Sequence, residues 1–317
     1  MKHITLQTVR GAVFGAAIGD AVGVPYEFHS PDRMMLSPAV DMVGHGTYGQ
    51  PVGTWSDDTS MILCTLDNLD EKRDFHAIMK AFVSWQTKGE YTPYHDCFDI
   101  GGTTSFALMN YARFGDIEDC GLDDEHSNGN GSLMRILPAA LYAAAHGLTP
   151  EEAVLLSHAL SRLTHAHLRS QIGCGIFTCV ALALIENPAK AAVTEGLQRA
   201  GIFYADPAYS SERDEYGRVL GENFFSLSRD EIHSSGYVVS TLECALWSLM
   251  NTHSYRDCIL CAVNFGGDTD TAACVAGALA GLLYGYEGIP ADWRSKIARP
   301  DFIEEIVGKF CQANAIS

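Results

Sequence analysis

Basic residues are scarce in this sequence. Its 317 residues carry 39 acidic side chains against 21 lysines and arginines, a formal net charge of −18. A surface of that sign repels phosphate backbones and anionic lipid, so it argues against nucleic-acid binding and against docking on a membrane. Long apolar runs are missing as well. The stretch from Thr271 to Tyr284 is too short and too rich in small residues to span a bilayer. Cysteine pairs are almost absent. The ten cysteines are scattered, and Cys258 and Cys261 form the one CxxC with no second pair, which excludes a disulfide scaffold and a four-thiolate zinc site. Reduced thiols, and hence the cytoplasm, are the expectation. Lys2 and Arg10 precede an apolar stretch from Gly11 to Gly19, but it lacks leucine and runs straight into Asp20, so export is not expected.

Alternating strand series, βα repeats, low-complexity runs and linker-like segments are also lacking. With 47% hydrophobic and 19% charged residues the chain is globular, and an all-α fold in a single domain over residues 1–317 is the expectation. Asp74 precedes apolar positions Phe75, Ile78, Met79, Phe82 and Trp85 at helical spacing, with Gly89 as the stop. Thr149-Pro150-Glu151-Glu152 combines a capping box with proline at the first helical position. Further helices are expected over 168–185, 189–199, 238–250, 255–263, 271–284 and 302–310. Gly11, Gly15 and Gly19 recur every four residues, as do Gly277 and Gly281. Glycine weakens a helix by about 1 kcal/mol relative to alanine, so such spacing fits helices whose backbones approach closely. Residues 30–54 and 203–235 read as long loops, the second either a binding segment or a disordered insertion.

Two clusters carry the chemistry. Gly53-Thr54-Trp55-Ser56-Asp57-Asp58-Thr59 precedes an apolar helix from Met61 to Leu69. Gly266-Gly267-Asp268-Thr269-Asp270-Thr271 precedes another from Ala272 to Tyr284. Capping is the simplest reading of any one such cluster. Capping needs one oxygen, however, and each cluster supplies several at the start of a helix expected to be buried. Four converging carboxylates repel unless a cation compensates or their pKa values move. An all-oxygen donor set suits Mg²⁺ or Mn²⁺ rather than Zn²⁺ or Cu²⁺, and four carboxylates suit two ions. The chemistry indicated is that of a two-metal hydrolase, with the substrate open. Glu27 lies near a turn after Gly23 and Pro25, and Asp99 sits in an acid-glycine turn. Asn128-Gly129-Asn130-Gly131-Ser132 is either a plain turn or a phosphate cradle opening a helix that ends near Pro138.

Taken in order, these segments resemble the ADP-ribosylglycohydrolase family. The matching stretches are Gly15 to Phe28 (GAAIGDAVGVPYEF), Gly53 to Thr59 (GTWSDDT), Asp99 to Gly101 (DIG), Asn130 to Arg135 (NGSLMR), Thr164-His165, Ser235 to Trp247 (SGYVVSTLECALW) and Gly266 to Thr271 (GGDTDT). They span residues 11 to about 293, with the bacterial members most similar. The resemblance implies an all-α fold with a binuclear Mg²⁺ or Mn²⁺ centre held by Ser56, Asp57, Asp58, Asp268, Asp270 and Thr271. The family often has threonine at the position of Ser56, and serine keeps the hydroxyl. Glu27 and Asp99 match the family's catalytic acids. Asn130, Gly131, Ser132 and Met134 fall in its ribose and diphosphate loop, and His165 falls in a ligand-contacting motif. Tyr237 is a candidate for the adenine. The implied activity is hydrolysis of the glycosidic bond between ADP-ribose and an acceptor. The acceptor is expected to be an ADP-ribosylated protein side chain such as arginine, or a small ADP-ribosylated molecule. The rivals are an ADP-ribose-binding protein with reduced turnover, a two-metal hydrolase of another nucleotide or sugar phosphate, and an immunity protein acting against an ADP-ribosylating toxin.

Overall fold

A computed structural model describes residues 4–317; Lys2, read above with the N-terminal stretch, lies outside them. Fifteen α-helices follow one another: α1 Leu6–Gly23, α2 Pro31–Leu36, α3 Asp57–Asn68, α4 Phe75–Lys88, α5 Gly102–Phe114, α6 Leu137–His146, α7 Pro150–Arg162, α8 Leu168–Glu186, α9 Lys190–Phe203, α10 Ser210–Arg213, α11 Val238–Asn251, α12 Tyr255–Val263, α13 Thr269–Tyr284, α14 Ala291–Lys296 and α15 Pro300–Ala313. No strand occurs among the described residues, only isolated bridges. The all-α expectation holds.

The closest helix pair is α1 against α13, and glycine makes it possible. A Cβ on Gly11 would stand 2.8 Å from the carbonyl oxygen of Gly281. One on Gly15 would collide with the Gly277 carbonyl, and one on Gly19 with the Ala273 carbonyl. Backbone against backbone leaves no side chain free to yield. The pair continues to Gly23, which packs on the backbone of Asp270. The glycine stripe therefore sets how close the end of α1 comes to the start of α13, where the acidic residues are.

Asp74 caps α4 through Oδ1, and Gly89 ends it with φ of 68°. The capping box at Thr149 and Glu152 is formed, with Pro150 at the start of α7. Three boundaries differ in a way that matters. α3 begins at Asp57 rather than Met61, and α13 at Thr269 rather than Thr271, so both acidic clusters lie within or beside the first helical turn. The helix near Pro138 starts there instead of ending, because proline's missing N–H costs nothing in a first turn. The segment 203–235 is folded rather than a disordered insertion: α9 runs on to Phe203, short turns and α10 follow, and Tyr216 and Phe224 are buried. By length and composition α8 could cross a membrane, yet it is packed inside this fold. The buried apolar side chains form one continuous cluster from Ile4 to Cys311.

Candidate metal centre and adjoining cleft

The first turns of α3 and α13 meet the last turn of α1, and their carboxylates face one another. Oxygens of Asp20, Asp58 and Asp270 lie within 4.8 Å of one another, as do those of Glu27, Asp268 and Asp270. Asp270 is shared by both trios. Thr271 Oγ1 lies 3.4 Å from Asp58 Oδ1 and links the two helix starts. Ser56 is the N-cap of α3, its Oγ accepting from the Asp58 amide at 3.3 Å. Asp57 belongs to neither trio and lines the cleft above them.

Four carboxylate oxygens in this cluster are buried without a hydrogen-bond partner: Glu27 Oε2, Asp58 Oδ2, Asp268 Oδ1 and Asp270 Oδ2. Buried acceptors are nearly always satisfied, so four orphans in one place call for a cation. Burial, then neighbouring carboxylates, pushes the carboxyls of Asp57, Asp58 and Asp270 well above the ordinary range. These residues fit a divalent metal, since hard oxygens converge and their positions are unsatisfied without positive charge.

Asp20 plays a different part. Its carboxylate accepts from the Ser56 amide at 3.0 Å, the Thr59 amide at 3.1 Å and the Thr59 hydroxyl at 2.6 Å. Those three donors occupy both oxygens, so Asp20 braces the start of α3. Burial raises its carboxyl to about 7 against these bonds. The sequence showed an acid after the glycine stripe and nothing of this role.

Glu27 and Asp99 form the rim. Burial and the Asp99 charge push Glu27 up to about 9, and burial raises Asp99. The backbone is strained beside both: Asp99 itself has φ of 62°, and so does Phe28, the neighbour of Glu27. Strain of this kind persists only where the surroundings hold it. Tyr48 is part of that hold, donating its hydroxyl to Asp99 Oδ1 at 2.6 Å from the loop before α3. Its ring packs on Phe98 with centroids 5.0 Å apart. Sequence analysis missed Tyr48, because nothing in a loop of mixed composition marks one tyrosine over another.

Above the carboxylates opens a cleft of about 340 Å³. Glu27, Phe28, Asp57, Asp99, Asp268 and Thr271 line one end. Thr104, Asn130, Gly131, Met134 and His165 line the other. Asn130 joins the ends, donating from Nδ2 to Asp268 Oδ2 at 2.8 Å and to Thr241 at 2.9 Å. Two of the expected binding residues, Ser132 and Tyr237, are not among the lining residues. Ser132 is buried in a cluster with Ser161 and Cys174. The Tyr237 hydroxyl donates to Glu215 at 3.0 Å, and the neighbouring Gly236 reaches the cleft instead. Beyond the wall made by Glu27 and Phe28 lies a second cleft of about 350 Å³, lined also by His29, Arg33, Gly46 and Thr47.

Comparison with known proteins accords with this geometry. The chain is 37% identical over 305 residues to the ADP-ribosylarginine hydrolase Tri1 of Pseudomonas putida, covering 95% of this chain and 77% of that one. It is 30% identical over 292 residues to the ADP-ribosyl-[dinitrogen reductase] glycohydrolase of Rhodospirillum rubrum, covering 90% and 89%. A solved structure described as an ADP-ribosylglycohydrolase-related protein complex superposes with a TM-score of 0.81 at 26% identity, covering 98% of each chain. The ADP-ribosylglycohydrolase family model matches residues 1–316, and the chain belongs to that family.

Proposed function

We propose that this chain is a metal-dependent hydrolase, folded as one domain, that cleaves the glycosidic bond between ADP-ribose and an acceptor. The acceptor we favour is a protein side chain, arginine first. The observation that carries the reading is the set of four orphaned carboxylate oxygens at the floor of a cleft. The relatives named for arginine-linked and dinitrogenase-reductase-linked ADP-ribose support the choice of substrate. All ten cysteines are free thiols, which fits the reducing compartment expected from the sequence.

Asp57, Asp58, Asp268 and Asp270, with the hydroxyls of Ser56 and Thr271, are the proposed holders of two divalent cations, Mg²⁺ or Mn²⁺. Glu27 is within reach of the same place through Asp268 and Asp270. When bound, the ions supply positive charge against developing negative charge and lower the pKa of a water. The chain's own residues do the rest. Asn130 and Gly131 hold the terminal ribose over the carboxylates and so fix the orientation of the anomeric carbon. Tyr48 occupies Asp99 Oδ1, which leaves Oδ2 to move a proton to or from the leaving group. Glu27, raised by burial and by the neighbouring Asp99 charge, is able to exchange a proton with the attacking water. An arginine guanidinium needs such help to depart as the neutral form.

Product identity tests this reading. Free ADP-ribose released from an ADP-ribosylated protein, resolved by chromatography, is the expected result. AMP or free phosphate as product would replace the reading with a phosphohydrolase.

A further inference from the structure

Arg135 is a buried cation without an anion. It is 1% exposed, and no carboxylate pairs with it among the described residues. Its Nε and Nη1 have no hydrogen-bond partner. Its Nη2 donates to the Leu160 carbonyl at 3.1 Å and to Thr164 Oγ1 at 2.7 Å. One face of the guanidinium lies over the Phe82 ring, 4.9 Å from its centroid. An interior charge is costly, and here its bonds reach only the end of α7 and Thr164 just beyond it.

The bond to Thr164 leads to the cleft. Thr164 Oγ1 stands 2.9 Å from His165 Nδ1. The hydroxyl already accepts from Arg135, and its own hydrogen can be given to His165 Nδ1. In that arrangement the ring proton sits on Nε2, the nitrogen nearer the glycine turn: a Cβ on Gly129 would lie 3.6 Å from it. Gly131 keeps the ring's edge clear, since a Cβ there would stand 2.8 Å from His165 Cε1. Burial first, and the Arg135 charge second, hold the imidazole neutral, its pKa pushed down to about 3.

No lysine or arginine lines the cleft. Its far end instead combines His165, the glycine turn and the start of α5, whose N-cap Gly101 supplies no side-chain acceptor to the first amides. An anion entering there meets N–H donors with a buried positive charge behind them.

We propose that Arg135 and Thr164 are positioning residues for the ligand's diphosphate, fixing His165 so that Nε2–H donates into the cleft. The proposal rests on the ADP-ribose reading and deepens it. It explains how a protein of net charge −18 holds a dianionic diphosphate beside a nest of carboxylates.

The test combines a tautomer measurement with binding. Imidazole nitrogen shifts of ¹⁵N-histidine-labelled protein, with His165 assigned by substitution, report which nitrogen carries the proton. The expected result is Nε2 protonated and Nδ1 bare. ADP-ribose and adenosine affinities are measured by calorimetry with Mg²⁺ present, for wild type, Thr164→Val and Thr164→Ser. Thr164→Val is expected to weaken ADP-ribose about tenfold, as the loss of one oriented hydrogen bond to an anion would, and to leave adenosine within about twofold. Thr164→Ser is expected to recover most of the loss. An Nδ1-protonated His165 in wild-type protein that binds ADP-ribose overturns the relay alone, whatever the variants do. Equal weakening of both ligands by Thr164→Val overturns the diphosphate role. Wild-type protein that binds no ADP-ribose overturns the reading of the cleft itself and the diphosphate role with it.

Discussion

Phe28 and Gly267 are joined through their backbones: the Phe28 amide donates to the Gly267 carbonyl at 2.7 Å, and the Gly267 amide donates to the His29 carbonyl at 2.8 Å. Both residues are in the left-handed region, with φ of 62° and 70°. The arm that carries Glu27 is thereby fastened to the loop that carries Asp268. Two short segments far apart in sequence present their carboxylates to a common point because this pair of bonds holds the strained backbone in place. A Cβ at position 267 would also collide with the Ser234 carbonyl. Gly267→Ala is therefore expected to lower turnover by about tenfold or more, since a shift of the order of 1 Å at a reacting group has that effect. Steady-state kinetics at saturating metal checks it.

The glycine stripe makes a prediction about stability. Gly15→Ala puts a methyl group into the Gly277 carbonyl, with backbone on both sides and no rotamer to relieve it. Overpacking of this kind costs about 1–3 kcal/mol. Thermal unfolding is expected to fall by several degrees, and the helix starts at the metal centre are expected to separate, weakening metal binding. Gly201→Ala, in the last turn of α9 with no atom within 4 Å of where its Cβ would stand, is the control expected to leave the melting temperature unchanged or higher.

Tyr48 and Asp99 separate positioning from proton transfer. Tyr48→Phe keeps the ring on Phe98 and removes the bond to Asp99. Its kcat is expected to drop about tenfold, the scale of one hydrogen bond to a charged or catalytic group. Asp99→Asn removes the proton carrier and is expected to cost about 10²–10⁴-fold. The double variant is expected to be no worse than Asp99→Asn alone, because Tyr48 acts through Asp99. Multiplicative losses would show that Tyr48 works independently.

Metal and pH act on the same carboxylates. Each raised carboxyl binds its proton more tightly in the folded chain, so its stabilising contribution is full below its unfolded value and is lost as pH rises through its folded value. For Asp20 that window runs from 3.8 to about 7, and for Glu27 from 4.5 to about 9. Chelated protein is therefore expected to lose thermal stability steadily from about pH 4 to pH 9. Added Mg²⁺ or Mn²⁺ replaces the protons, so the stabilisation it gives is expected to grow across the same interval. Scanning calorimetry at pH 5 and pH 9, with and without metal, reads the difference. An equal metal effect at both values would contradict it.

Asp270 belongs to both trios, which makes it the most sensitive single position. Asp270→Ala is expected to reduce metal affinity and turnover together, turnover by about a thousandfold. Unchanged metal binding measured by calorimetry would remove Asp270 from the set that holds the ions.

Much of this was legible in the sequence, for physical reasons. Helix-period apolar positions with clear caps at Asp74 and Thr149 mark helices directly. The four-residue glycine spacing announces a close backbone approach, and the α1–α13 pair has it. The two acidic clusters were readable because hydroxyls and carboxylates crowd one short turn. Tyr48 and Asp20 were not readable as partners of the site. Their importance comes from long-range hydrogen bonds, to Asp99 and to the Ser56 amide, that no local pattern encodes. Tyr237 is a different case: its neighbour Gly236 lines the cleft, and its own hydroxyl donates to Glu215. Pro138 marks a helix start where its position after a glycine turn suggested an end.

The most direct measurement is ADP-ribose release from a panel of arginine-, serine- and nucleic-acid-linked substrates, each with chelator and with Mg²⁺ or Mn²⁺ restored. The account predicts release from the arginine linkage that disappears with chelator and returns with the metal. Full release in chelator, or no release from any linkage with metal present, would contradict it.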